Sequence, residues 1–360
     1  MFGLKKCIAV VLLISTASFC FSASSHKDQT VVSKSVPEWV DSPYTWLQKH
    51  SELKSSDYFL AVGSGSTLDA AQVNAVSQLA SIFGQNVEST TVSTRKMEQI
   101  VENDVSLWAD SSSLGQETSR TVAMNSLICV EIAEMYKDTS GRFHALAVMD
   151  KQLALKNYLS YISKNEEHIK KLLGAVKKKS SYSIEDFART KVSLDYAFAN
   201  ERYLNIVSVI NFETAEKTAK SCTKIPDIKS LKLKVAQNIP VSVKVEKDID
   251  KDVYNIVAEF FTSQGFRVVS GSERYAFEAN ISFEENVTRD KSSVQCKYFF
   301  KGMLSDCNKN QVLFATSLNG RQSSISYEEA YKKALKALSS GMNGDVRTDF
   351  YSFLDSLAAD

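Results

Sequence analysis

The sequence predicts an α+β protein, with two helix-covered mixed sheets joined by a helical connector. Three observations predict it. The apolar run Tyr58-Phe-Leu-Ala-Val-Gly-Ser-Gly65 passes at once into an alanine-rich segment whose apolar residues recur at helical spacing. Residues 184–217 keep that spacing throughout, with Phe187, Leu194, Phe198, Leu204, Val207 and Ile210 on the apolar positions. After Pro226 a second set of alternating segments ends in another alanine-rich helix, so an extended segment, a capping box and an alanine-rich helix recur in each half, early in the first and late in the second.

Each element has its own local signal. Ser66-Thr67-Leu68-Asp69 reads as a capping box, opening a helix with Leu68, Ala71, Ala75, Leu79 and Ile82 on one face and Gly84 as its stop. Val87 to Thr94 is rich in β-branched residues and predicts a strand. The polar stretch from Lys96 to Arg120 predicts an insertion or an exposed helical excursion. Ile128, Val130 and Ile132 alternate, as do Phe143, Ala145, Ala147 and Met149, and Asp138-Thr-Ser-Gly141 between them predicts a hairpin. Lys151 to Leu173 predicts a helix. In the second half, Val241–Val245, a helix over Asp250 to Gln264 and Phe266–Ser270 form a strand, crossover and parallel strand. Tyr275 to Glu284, Val294 to Ser305 and Gln311 to Leu318 predict three consecutive antiparallel strands. Ser326-Tyr-Glu-Glu329 opens the next helix, and Asp345 to Leu357 a last one. The chain thus divides into a leader over 1–23, α+β domains over 35–175 and 228–345, a helical connector over 183–222 and a terminal helix over 346–360.

Met1 to Ala23 carries Lys5 and Lys6, an apolar run from Cys7 to Ile14 and no acidic residue, which predicts a secretory signal peptide cut between Ala23 and Ser24. A span needs about 20 apolar residues, and Ser15, Thr16 and Ser18 break the run well short of that. Cys20 is a candidate for lipidation, because a bacterial lipoprotein keeps a cysteine as its first mature residue; Phe19 stands where a small residue is normally wanted. Cleavage removes two lysines from a chain with 43 basic and 42 acidic residues, leaving it close to neutral. Nucleic acid and anionic membrane surfaces are not indicated as partners, and membrane contact is confined to an amino-terminal lipid.

No catalytic, cofactor or metal constellation is legible. Cys129, Cys222, Cys296 and Cys307 are widely spaced, which argues against zinc, while three full disulfide pairings and buried thiols all stay open. Gly63-Ser-Gly65 lacks the third glycine of a dinucleotide loop and the Gly-Lys-Ser/Thr of a phosphate loop, so it predicts a tight turn. Ser64 has Val62 and Ser66 where a nucleophile elbow wants glycines, and His26, His50, His144 and His168 have no second ligand at a spacing of three to five. His144 reads as a packed or surface residue. The group Trp39, Tyr44 and Trp46, with Phe299 and Met303 on an otherwise polar strand face, supplies the candidate interface.

Pro37-Glu-Trp-Val40, the strand into Gly63-Ser-Gly65, the alanine-rich helix and the strand from Phe143 to Asp150 resemble the twenty-kilodalton envelope lipoprotein family of bacteria, over roughly 35–175. That family is similar in its core to flagellar accessory proteins, and the second domain resembles the accessory sheet domain of envelope proteins related to curli secretion. The resemblance implies an exported, non-enzymatic structural or assembly component, at the outer membrane or in a periplasmic flagellar structure. Envelope or flagellar proteins, or a second copy of the chain, are the implied partners. The alternatives are a periplasmic regulator docking an envelope enzyme or secretion channel, and a cell-wall hydrolase, which would require a nucleophile and base, or clustered carboxylates, in one cleft.

Overall fold

The computed structural model describes residues 35–50, 52–98, 127–177, 181–287 and 293–358. The predicted leader with Cys20, Ala23 and Ser24, most of the stretch from Lys96 to Arg120, and the centre of the basic run after Val176 lie outside them. The described chain forms an antiparallel three-stranded sheet and a mixed five-stranded one, with helices between and after them.

Its contacts separate two compact units. One contains the described residues up to Glu167 together with Ala197–Cys222, and the other His168–Tyr196 with the chain from Thr223 onward. The division falls inside two long helices, so the expected connector over 183–222 contributes to both units.

The first unit opens with a 3₁₀ turn, Glu38–Val40, and the short helix α1 (Thr45–Gln48). Strand β1 (Tyr58–Gly65) leads into helix α2 (Leu68–Glu98), and β2 (Val130–Lys137) and β3 (Phe143–Asp150) follow. The sheet order is β1-β3-β2, with Leu60 opposite Val148 and Tyr136 opposite His144. A register shift between Ile132 and Glu134 moves the second half of β2 to the other alternation, so Glu134 and Tyr136 take the place that continued alternation from Ile132 would leave to Ala133 and Met135.

α2 corrects two expectations. The helix does not stop at Gly84, and the β-branched run from Val87 to Thr94 is helical backbone instead of a strand. Neither proline nor a cluster of turn residues follows Gly84, and β-branched residues disfavour a helix too weakly to end one already propagating. The cap is also displaced by one residue: Thr67 Oγ1, not Ser66, accepts from the backbone of Ala70 at 3.2 Å.

Ala71 and Ala75 of α2 are buried with Ala145 and Ala147 of β3. Small residues on both elements let the helix backbone approach the strands closely. Gly63 and Gly65 lie inside β1 instead of forming the expected turn, and they serve this approach. A Cβ at Gly63 would overlap the backbone of Ala71 and Ala75, and one at Gly65 would stand 2.7 Å from Ala71 N. Helix α3 (Lys151–Lys177) adds Ala154, Tyr158 and Ile162 to a second cluster with Leu79, Phe83 and Met149. The Tyr158 hydroxyl there accepts from the Ile128 backbone at 3.0 Å.

Helix α4 (Ile184–Ile210) ends where Asn211 leaves helical geometry and caps α5 (Phe212–Ser221), accepting from Thr214 N at 2.9 Å. Pro226 lies in the first turn of a further helix, α6 (Ile225–Gln237), which the sequence reading passed over as the entry to the second domain. Proline is favoured there because the first helical N–H groups have no intrahelical partner.

The second unit holds β4 (Pro240–Glu246), α7 (Asp252–Ser263), β5 (Arg267–Val269), β6 (Tyr275–Val287), β7 (Val294–Asp306) and β8 (Gln311–Ser324). The order is β5-β4-β6-β7-β8, with β4 parallel to both its neighbours and β6, β7 and β8 antiparallel, as expected. α8 (Tyr327–Gly341) begins at Ser326, whose hydroxyl accepts from Glu329 N, and passes through a π-helical segment, Met342–Val346, into α9 (Arg347–Ala358). The inner sheet face, α7 and α9 bury one aromatic core around Phe260, Phe261, Phe277, Phe314 and Phe350.

Ion pairs link elements of this unit. Arg274 grips Asp306 through Nε and Nη2, the shortest contact being 2.7 Å, and holds its carboxyl below the usual range. Lys191 on α4 reaches Asp355 on α9 at 2.6 Å and Asp195 at 2.8 Å.

Candidate functional site

Among the described residues no group of His, Cys, Asp and Glu is placed to hold a metal ion, and no helix is long and apolar enough to cross a membrane. Cys129, Cys296 and Cys307 are not joined in disulfides, and Cys307 is the exposed one. Asp248 caps α7, accepting from Val253 N and from Tyr254 N at 2.6 Å.

One polar constellation does form, and no sequence signal marked it. Ser64 and His144 are directly opposite in the β1–β3 ladder, and residues so paired share a sheet face with Cβ atoms about 5 Å apart. Ser64 Oγ lies 2.9 Å from His144 Nδ1, and His144 Nε2 lies 3.3 Å from Asp138 Oδ2. Ionised Asp138 accepts the Nε2 proton, so Nδ1 is left to accept from the serine hydroxyl. The His144 ring also lies 5.9 Å from that of Tyr136, which is buried.

Serine, histidine and aspartate in hydrogen-bonded series resemble a hydrolytic relay, and two of the three are also tied into the surrounding fold. Asp138 Oδ1 also accepts from Ser140 Oγ at 2.6 Å and from Arg142 N at 2.9 Å, binding the carboxylate into the β2–β3 turn. The Ser64 carbonyl accepts from Asn74 Nδ2 at 2.8 Å, which ties the same residue to α2. The series therefore links a strand end, a turn and a helix. A nucleophile would in addition require donors aimed at a developing oxyanion.

The hydroxyl of Ser140 and the other bonds it receives hold the Asp138 carboxyl down at about 2. A carboxyl lowered on folding stabilises above its ordinary value near 4, and that contribution disappears as pH falls through the folded value. The melting temperature of Asp138→Ala should therefore lie below that of the unaltered protein at pH 6, with the gap closing between about pH 4 and pH 2. An unchanged gap at pH 2 would show that the turn does not depend on this carboxylate.

The residues proposed from sequence as an interface separate into two groups. Trp39 is buried with Leu47, Leu60, Leu146 and Val148 on the sheet face opposite α2, so its ring is core and unavailable to a partner. Trp46 packs against the same cluster, donates to Glu134 Oε1 at 3.2 Å and stacks obliquely on His50. Tyr44 is exposed, but its two companions are engaged within the chain. The amino-terminal segment thus covers this sheet face.

Phe299 and Met303 are 46% and 47% exposed on the outer face of β7. The strand alternates strictly there, with Tyr298, Phe300, Gly302 and Leu304 turned inward. Phe299 lies between Ser282 and Asn319, Met303 between Glu278 and Ala315, and Lys301 between Asn280 and Ser317. The surface is an open sheet face of small, polar and charged residues with Phe299 and Met303 near its middle and Val312 of β8, opposite Ser305, also exposed on it.

Residues 37–150 match the family model described as LPP20 lipoprotein. No curated protein matches the chain. Among solved structures, the secreted protein HP1454 from the human pathogen Helicobacter pylori is similar at 13% identity, covering 78% of this chain and 96% of that one, with a TM-score of 0.38. A minor lipoprotein from Acinetobacter baumannii aligns at 15% identity over 33% of this chain and 84% of its own, with a TM-score of 0.21. Lipoprotein GNA1162 from Neisseria meningitidis aligns at 11% identity over 31% and 99%, with a TM-score of 0.23.

Proposed function

We propose that this chain, whose residues 37–150 match the LPP20 lipoprotein family model, belongs to that family and is an exported structural or assembly component of the bacterial envelope. Its contact surface is the outer face of the five-stranded sheet. One observation carries this reading: Phe299 and Met303 stay exposed on a face where the other outward residues of the same strand are polar or charged. Large apolar groups rimmed by polar residues are the usual composition of a contact surface, and they supply most of the binding energy when a partner covers them. The corresponding face of the three-stranded sheet is already covered by Trp39 and its neighbours. An assembly role requires no fixed catalytic geometry, and the Ser64–His144–Asp138 series acts within the fold.

The test is affinity purification from cell envelopes of the tagged protein and of its Phe299→Ser/Met303→Ser variant. The two side chains are half exposed, so the variant should fold and melt as the parent does. Envelope proteins recovered with the parent should be depleted about tenfold or more with the variant, since a contact residue of this type contributes on the order of 1–2 kcal/mol. Equal recovery with both would remove this face as the contact surface.

A further inference from the structure

We infer that β8 is a pairing edge, along which a second copy of this chain adds its own β8 antiparallel and continues the five-stranded sheet through a two-fold axis. The inference rests on the assembly role proposed above and names one partner of the same sheet. Among the described residues β8 pairs with β7 alone, and it is 14 residues long, which at about 3.4 Å per residue leaves roughly 45 Å of strand edge.

Proteins that remain single normally blunt such an edge with short strands, lysine, proline or inward charges. The opposite edge of this sheet is blunted: β5 has three residues and begins with Arg267. The central segment of β8, Phe314 to Gly320, has none of these devices, while Lys333 Nζ donates to the Ser323 carbonyl near the strand's end. The strand's sequence, Gln-Val-Leu-Phe-Ala-Thr-Ser-Leu-Asn-Gly-Arg-Gln-Ser-Ser, contains no proline, lysine or acid, and its single charge is Arg321 near one end. Charged residues Lys297, Lys301, Glu278 and Glu284 lie one and two strands further in. The shift in register on the β7–β8 ladder falls at Leu313, between Val312 and Phe314, so the strand is regular from Phe314 onward.

The side-chain pattern is self-complementary. Antiparallel partners directly opposite share a face, so a two-fold axis at Ser317 sets outward Ala315 against Asn319 of the other copy. Because Met303 neighbours Ala315 and Phe299 neighbours Asn319, two equivalent rows then cross the axis, each running from Met303 of one copy to Phe299 of the other. Arg321 falls opposite Leu313, so no like charges meet on the paired strands. The assembly closes after two copies, because each then has its β8 edge occupied.

Sedimentation velocity of the purified protein across a hundredfold range of concentration tests this, with the Ser317→Lys variant alongside. Ser317 is exposed, so the variant should keep the parent's melting temperature, while two lysines opposed at the axis should weaken association about tenfold or more. Cross-linking gives the geometry: with Cys307 replaced by serine, Ser317→Cys should form a disulfide-linked dimer under mild oxidation and Lys336→Cys, exposed on α8, should not. A single species of monomer mass at every concentration would overturn the inference, as would equal cross-linking at the two positions. Self-association lost in Ser317→Lys without any envelope partner would keep the pairing and sink the envelope role. Partners recovered by a strictly monomeric chain would do the reverse.

Discussion

Replacing Gly63 by alanine is expected to destabilise the first unit by about 3 kcal/mol or more, the upper range for overpacking. The added Cβ would occupy space held by the backbone of Ala71 and Ala75, both on α2. Side chains can rotate away from a new methyl group, but a helix backbone moves only as a body. Relief would require α2 to lift from β1 and β3, opening the alanine contact with Ala145 and Ala147 and straining the Asn74 bond to Ser64. The control has the opposite sign. Gly174 lies within α3, and a Cβ there meets nothing within 4 Å, so Gly174→Ala should stabilise by up to about 1 kcal/mol through helix propensity. Thermal melts of the two variants check both signs, and a Gly63→Ala melt within a degree of the parent would show that helix and strand are not as close as described.

Phe350→Ala should cost about 3–5 kcal/mol, the range for removing a buried phenylalanine, in the second unit. The ring is fully buried and meets four others: Phe260 at 5.7 Å and Phe261 at 6.4 Å on α7, Phe314 at 5.4 Å on β8, and Phe353 at 6.0 Å on its own helix. Its loss removes both transfer free energy and edge-to-face contacts with α7 and β8. Phe350→Leu retains most of the volume and should lose about half as much or less. Chemical denaturation separates the two cases, and equal midpoints for Phe350→Ala and the parent would contradict the packing of α9 on the sheet. Because Lys191 also binds α9 through Asp355, the alanine variant should loosen that helix without releasing it.

The second sheet was legible because alternation and crossover logic act locally. Tyr275, Phe277, Ala279 and Ile281 turn inward as their spacing requires, and Gly265, at a φ of +93°, ends α7 as read. The errors arose where one residue type has two meanings. Gly84 resembles a helix stop, but a glycine within a propagating helix costs only about 1 kcal/mol, and α2 continues through it. Pro226 resembles a break, yet proline also suits a first helical turn. The Ser64–His144–Asp138 series could not be read at all, since its first two members are 80 positions apart and meet only through strand register. Trp39 and Phe299 were equally suggestive as exposed aromatics. Burial of the one and exposure of the other followed from which sheet face the amino-terminal segment covers, a tertiary choice that local sequence does not encode.

The most direct test of the assembly role is photo-cross-linking in intact envelopes, with a photoreactive phenylalanine analogue placed at position 299 and, separately, at the exposed position 336 on α8. The account predicts discrete adducts from position 299, containing either an envelope protein or a second copy of the chain, and none above background from position 336. Adducts from position 336 alone, with position 299 silent, would contradict it.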